Sequence, residues 1–256
     1  MSKVFIGYDD REQAAYHVAA NTITRHSRDQ VDIKALKHRE LRKQGIFRRP
    51  WLIESDTGLY RDLIDNKPFA TQFSHTRFLV PYLADFKGWA LFMDCDMIFT
   101  CDIRELFALK DDKYACMVVK HNHRPKDGNK MDDQPQTQYY RKNWSSFVLW
   151  NCGHPKNKFL SPARVNALTG TELHTFSWLD DFDIGHLGFE WNWIENCSPV
   201  VKPIPKVIHY TEGGPWFDDY QDVLYGDLWI QEYERWQRNN SNKVTSVLSV
   251  KYDLPI

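Results

Sequence analysis

Residues 89–99 read WALFMDCDMIF. The unbroken apolar run Trp89 to Met93 predicts a strand buried on both faces, as in a parallel sheet of an α/β protein. The run stops abruptly at Asp94-Cys95-Asp96, and Ile98 and Phe99 resume the apolar character. In open α/β sheets, ligands bind beyond the carboxyl ends of the strands. Two carboxylates placed there repel each other unless something positive lies between them. A divalent cation does this, and hard oxygen ligands suit Mg²⁺ or Mn²⁺. A solvated turn or a helix cap would carry the same three letters.

Outward from this strand, the chain keeps an α/β rhythm. Lys3 to Tyr8 reads as a buried strand, and Asp10 and Gln13 have capping-box spacing for the helix that follows. Ala14, Ala15, Val18, Ala19 and Ile23 give that helix an apolar face, and Val31 to Leu36 reads as a second strand. A β-α-β opening implies a parallel sheet. Arg39 to Lys67 is polar and irregular, and Phe69 to Phe86 is predicted helical. Ala115–Val119, Ser145–Trp150 and Val207–Thr211 are further strands. Ser161, Pro162 and Gly170 bracket a short helix as N-cap, first-turn and C′ residues. Asp227 to Arg238 is a late helix, and Lys120 to Asn143 has the composition of a mobile loop.

The 256 residues suffice for one α/β unit with its own core. The net charge of -1, from 33 basic and 34 acidic side chains, argues against a nucleic-acid coat or a polybasic membrane anchor. Aromatics reach 14% with 10 Trp, enough for a large core and for sugar-stacking surfaces. Five cysteines (Cys95, Cys101, Cys116, Cys152, Cys197) show no zinc spacing and predict reduced thiols in a cytoplasm. No apolar run approaches the ~20 residues of a spanning helix, and the opening MSKVFIGYDD reads as a strand, not a signal peptide.

His209, in KVIHYTEGGPW, closes another predicted strand and could approach the same crevice. Alone it reads equally as a hydrogen-bonded core residue. Beside two carboxylates, an imidazole shifts the preferred cation toward Mn²⁺. Gly213 and Gly214 could present backbone N–H groups to phosphate, or form an ordinary turn.

Taken in order, these segments resemble glycosyltransferase family 8, which includes glycogenin and bacterial lipooligosaccharide galactosyltransferases. VFIGYD resembles the family's first strand, which implies Tyr8 and Asp9 beside the base and ribose. SHTRF resembles its helical arginine segment, implying Arg77 near the diphosphate and donor sugar. FMDCDMIF resembles its D-x-D strand, implying Asp94 and Asp96 as metal ligands, with Asp94 also near the ribose. SSFVLWN is similar to the family's Asn-containing strand, but Ser145 stands for the first Asn and Phe147 for a Gly. LDDFDIGHL resembles the Asp-Gln-Asp segment, implying Asp181 and Asp183 at the donor sugar, with Phe182 replacing the Gln. FEWNW, with Trp191 and Asn192, is similar to an aromatic-Asn segment that follows. KVIHYTEGGPW resembles the terminal motif that supplies a third metal ligand, His209; the phosphate-binding Lys of that motif is replaced by Gly214. Arg124, Lys126 and Lys130 of the polar loop are candidates to take its place.

The resemblance implies a GT-A fold: one Rossmann-like mixed, mostly parallel sheet flanked by helices. It implies a single domain over 1–256, with a nucleotide-binding part at roughly 1–110 and a donor-sugar and acceptor part at roughly 111–256. It implies retention of anomeric configuration, a UDP-sugar donor and a Mn²⁺ or Mg²⁺ cofactor. The acceptor, whether glycan, lipid or protein, is left open. Two rivals stand beside this reading: a non-catalytic carbohydrate- or nucleotide-sugar-binding protein, and a nucleotidyltransferase. The latter would want a Gly-rich basic phosphate loop, which Met1 to Asp10 lacks.

Overall fold

The structure is a computed structural model that describes residues 1–121, 141, 143–200 and 202–249, with side chains described as far as 240. In chain order, the first half comprises β1 (Ser2–Gly7), α1 (Gln13–His26), β2 (Val31–Leu36), α2 (His38–Lys43), β3 (Trp51–Ile53), β4 (Tyr60–Asp62), β5 (Pro68–Phe69), α3 (Val80–Leu83), β6 (Trp89–Met93), β7 (Met97–Phe99) and α4 (Ile103–Phe107). The second half comprises β8 (Cys116–Val118), β9 (Phe147–Asn151), α5 (Pro162–Ala167), α6 (Gly170–His174), β10 (Ile184–His186), β11 (Trp193–Ile194), β12 (Val207–His209) and α7 (Gly226–Ser249). Short 3₁₀ turns link them.

The main sheet runs β10-β8-β9-β6-β1-β2. β2, β1, β6, β8 and β10 point one way and β9 the other, so the sheet is mixed and mostly parallel. β6 lies inside this sheet, and Ala90 to Met93 are fully buried. The apolar run therefore forms a two-faced buried strand for the reason its composition suggests: every side chain leaves water. α1 packs against β1, β2, β7 and α7 through Ala15, Val18, Ala19, Thr22 and Ile23. A second sheet, β11-β12-β7, and a small antiparallel sheet, β3-β4-β5, complete the fold.

Several local expectations are corrected. The Asp10–Gln13 capping box does not form. Glu12 is the N-cap residue, and the Gln13 amide donates to the Asp10 carbonyl instead. Phe69 to Phe86 is helical only from Thr76 to Leu83, because Thr71 and Ser74 close a turn through their own side chains and backbone. Ser161 caps α5 as expected, but Gly170 opens α6 behind its own N-cap, Thr169. The polar stretch 39–67 hides α2, β3 and β4, whose strands are too short to show a period. α7 runs on to Ser249, beyond the expected Arg238. No helix among the described residues is long and apolar enough to cross a membrane.

Candidate metal centre at the sheet junction

Asp94 and Asp96 sit where the chain leaves one sheet for another. The Asp94 N–H donates to the Ser146 carbonyl, extending the β6–β9 ladder by one residue. The Tyr210 N–H donates to the Asp96 carbonyl, extending β12–β7. Cys95 between them is buried. Each carboxylate is thus fixed by a different sheet, and His209 closes the gap as the last residue of β12, paired with Met97. Ligand atoms of Asp94, Asp96 and His209 all lie within 4.8 Å of one another. His209 Nε2 is 3.3 Å from Asp96 Oδ2.

The neighbouring hydrogen bonds define the imidazole. Ser146 Oγ donates to the Asn143 carbonyl (2.8 Å), so it accepts from Asn192 Nδ2 (3.1 Å). Asn192 Oδ1 then faces His209 Nδ1 at 2.9 Å and can only accept. Nε2 is buried with no hydrogen-bond partner. An unsatisfied buried nitrogen facing carboxylate oxygens is what a cation would complete, so these residues fit a divalent metal.

Arg77 stands beside the cluster on the 3₁₀ turn Thr76–Leu79, where a helix was expected. Its Nη1 pairs with Asp94 Oδ1 at 2.9 Å and donates to the Ser145 carbonyl at 3.0 Å. The guanidinium lies over the Phe73 and Phe92 rings, 5.2 and 5.0 Å from their centroids. Such stacking leaves the cation little rotational freedom.

A further carboxyl escaped the sequence reading. Glu12, at the start of α1, is buried, and its Oε2 has no hydrogen-bond partner. Burial first, then the charges of Asp96 and Asp9, push it well above the usual carboxylate range. Its polar, helix-start position gave no sign of this.

Other expected site residues take different places. Asp9 is fully buried, and its carboxylate is taken up by the Arg11 side chain and amide and by the Gln72 amide, so it anchors the 8–12 turn. Tyr8 is partly exposed, edge-on to Tyr16 and under the Lys37 ammonium. The Gly213 N–H donates to the Tyr210 carbonyl and is not offered to phosphate. A Cβ at Gly213 (φ +141°) would lie 2.7 Å from the Tyr220 ring, and one at Gly214 would lie 2.0 Å from the Trp216 ring. These glycines serve close ring packing. A small cleft adjoins His209 there, lined also by Trp193, Glu195, Thr211 and Tyr220. Arg124, Lys126 and Lys130 lie outside the described residues.

Asp181 and Asp183 are not brought into the cluster. Ile184 pairs with Cys116, Cys116 with Trp150, and Trp150 with Ala90. Asp183 therefore stands level with Trp89 at the amino end of β6, roughly 17 Å along the strand direction from Asp94. It is buried and held by Lys156 Nζ at 2.5 Å, while Asp181 is held by Arg141 Nη2 at 2.6 Å. Burial raises the Asp183 carboxyl, but hydrogen bonds from Lys156 and the Asp180 amide outweigh it and keep the group below the usual range.

No family model matches the chain. A probable glycosyl transferase, Gly, of Streptococcus gordonii is 27% identical over 180 residues, covering 63% of this chain and 24% of that protein. Among solved structures, the bifunctional glycosyltransferase WbbM superposes with a TM-score of 0.60 at 19% identity, over 91% of this chain; the chain spans only 49% of WbbM. The galactosyltransferase LgtC, solved with donor and acceptor sugar analogues, gives a TM-score of 0.54 at 11% identity, over 91% of this chain and 95% of LgtC. The architecture is thus that of the GT-A glycosyltransferases. Protein CDI of Arabidopsis thaliana is 46% identical over 245 residues, 94% of this chain and 89% of that protein. At that identity and coverage, the chain belongs to the family of Protein CDI, carried on a GT-A fold.

Proposed function

We propose that this chain is a metal-dependent, retaining glycosyltransferase of the family 8 type, moving a hexose from a UDP-sugar to a glycan, lipid or protein acceptor. The reading rests on one observation: Asp94, Asp96 and His209 converge within 4.8 Å at the carboxyl edge of the sheet. The fold of LgtC and WbbM and the likeness to Gly support the reaction class.

Two carboxylates and an imidazole suit Mn²⁺ better than Mg²⁺. Asp94, Asp96 and His209 would hold the ion, whose chemistry when bound would be to offset the donor diphosphate's charge as a Lewis acid. Arg77 adds a positive fork fixed by Asp94, the Ser145 carbonyl and two rings, pre-aligned for charge that grows on the leaving group. Tyr8, just past the carboxyl end of β1, is the residue this reading assigns to the donor base. In the same-face route that retention implies, the departing phosphate oxygen takes the acceptor's proton. Asp181 and Asp183 are not needed for any of these roles.

The test is binding and hydrolysis of a panel of nucleotide sugars by the full chain, with and without Mn²⁺. Metal-dependent UDP binding with slow loss of one UDP-hexose is the expected result. Failure to bind any UDP species in either condition sinks the proposal, and binding of free glycan alone would favour a carbohydrate-binding module.

A further inference from the structure

The hydrogen bonds behind His209 run in one direction only, and that direction has a consequence for its chemistry. The Asn143 carbonyl can only accept, so the Ser146 hydroxyl spends its proton there. Ser146 Oγ then receives Asn192 Nδ2–H, which turns Asn192 Oδ1 toward His209 Nδ1. A carbonyl oxygen at 2.9 Å demands a proton on Nδ1. Asn192 is wholly buried, and Ser146 and His209 nearly so, so water does not compete for these bonds.

We infer that Ser146 and Asn192 are positioning residues that lock His209 in its Nδ1–H tautomer, leaving the Nε2 lone pair aimed at Asp96. The inference deepens the proposed metal site and rests on that reading for its purpose, though not for its test. The lock is tertiary. Asn143 and Ser146 lead into β9, Asn192 leads into β11, and His209 ends β12, which is paired with β11. One side-chain chain thus ties the main sheet to the second sheet at the ligand.

The lock also makes Ser146 matter at a distance. Without its hydroxyl, the Asn192 amide is free to turn, and Nδ2 toward the ring would favour the Nε2–H tautomer, which has no lone pair to offer on the Asp96 side. An Asp at position 192 would still accept from Nδ1–H.

The experiment is a long-range ¹H–¹⁵N correlation spectrum of the metal-free full chain, with the His209 ring assigned by His209→Gln, alongside Mn²⁺ titration. The wild type should show a proton on His209 Nδ1. Asn192→Asp should keep that tautomer and Mn²⁺ affinity within a few-fold. Asn192→Leu should lose the Nδ1–H preference and about 10–100-fold in Mn²⁺ affinity, as for other outer-shell partners. Ser146→Ala should give mixed tautomers in a protein with one small buried change, which guards against failure of the Leu variant to fold. A wild-type ring with no proton on Nδ1 overturns the inference, and so does an unchanged Nδ1–H preference in Ser146→Ala and Asn192→Leu. A wild-type Nδ1–H ring in a protein with no Mn²⁺ affinity upholds the lock and overturns the metal reading instead.

Discussion

Two acidic clusters flank the main sheet, at opposite ends of its strands, and they are solved differently. At the amino end, Asp180, Asp181 and Asp183 each meet a cation. Lys156 takes Asp180 and Asp183, and Arg141 takes Asp181. At the carboxyl end, Asp94 pairs with the Arg77 guanidinium, Asp96 Oδ2 lies 3.3 Å from the buried His209 Nε2, and Glu12 lies buried nearby. In the first cluster every carboxylate is engaged by a lysine or arginine, and Asp180 and Asp183 also close a capping box on the turn 181–183. In the second, ligand atoms of Asp94, Asp96 and His209 lie within 4.8 Å of one another, and the buried Glu12 Oε2 has no hydrogen-bond partner. The letters D-x-D occur in both places, and what sets the carboxyl-end pair apart is the imidazole that converges on it.

The comparison can be broken most directly at Asp96. Asp96→Ala should lower UDP-hexose turnover by at least about 10²–10³-fold, the scale of losing a major transition-state electrostatic contact. Its thermal midpoint should hold or rise, since one of several crowded carboxylates is gone. Turnover assays paired with calorimetry check this, and a fully active Asp96→Ala chain would remove the metal argument.

Glu12 sharpens it next. Its folded-state value lies well above the ordinary 4.5. Between those two values the folded chain holds a proton that the unfolded chain has released, so stability falls as pH rises through that window. Glu12→Gln should flatten this slope and raise the melting temperature of the metal-free protein at neutral pH, by about 2–4 °C per kcal/mol in a chain of this size. Calorimetry from pH 4.5 upward reads the difference, and a Gln variant less stable than the parent at neutral pH would show that the carboxyl end is already balanced.

The smallest effects belong at the other end. Asp181→Asn and Asp183→Asn should leave steady-state transfer within about three-fold, because both lie at the amino end of the sheet, roughly 17 Å along the strands from Asp94. Asp183→Asn should melt at a lower temperature, since its carboxylate also caps the 181–183 turn. Its folded-state value is depressed, so that contribution should vanish as pH falls through the ordinary carboxylate range and below it. A hundred-fold loss of kcat in either variant would bring the amino-end cluster back as a donor-sugar site.

The β6 run was legible because burial on both faces writes a continuous apolar string, and β1, β2 and β12 were legible for related reasons. Asp94, Asp96 and His209 were legible as strand-end residues and by resemblance, and Arg77 by resemblance alone. The small sheet β3-β4-β5 was not, since strands of two or three residues carry no period. Asp181 and Asp183 misled because acidic letters look alike wherever they fall on a strand. Here they precede β10, while Asp94 follows β6.

By itself, then, the sequence determined which segments leave water and which strand ends in paired carboxylates, because hydrophobic periodicity and strand termination are local properties. Only the tertiary structure decided that His209 meets Asp96, that Asn192 and Ser146 stand behind it, that Glu12 is buried nearby, and that the second acidic run lies at the far end. Those are pairings between residues distant in the chain. They are set by strand order and register, which no local pattern encodes.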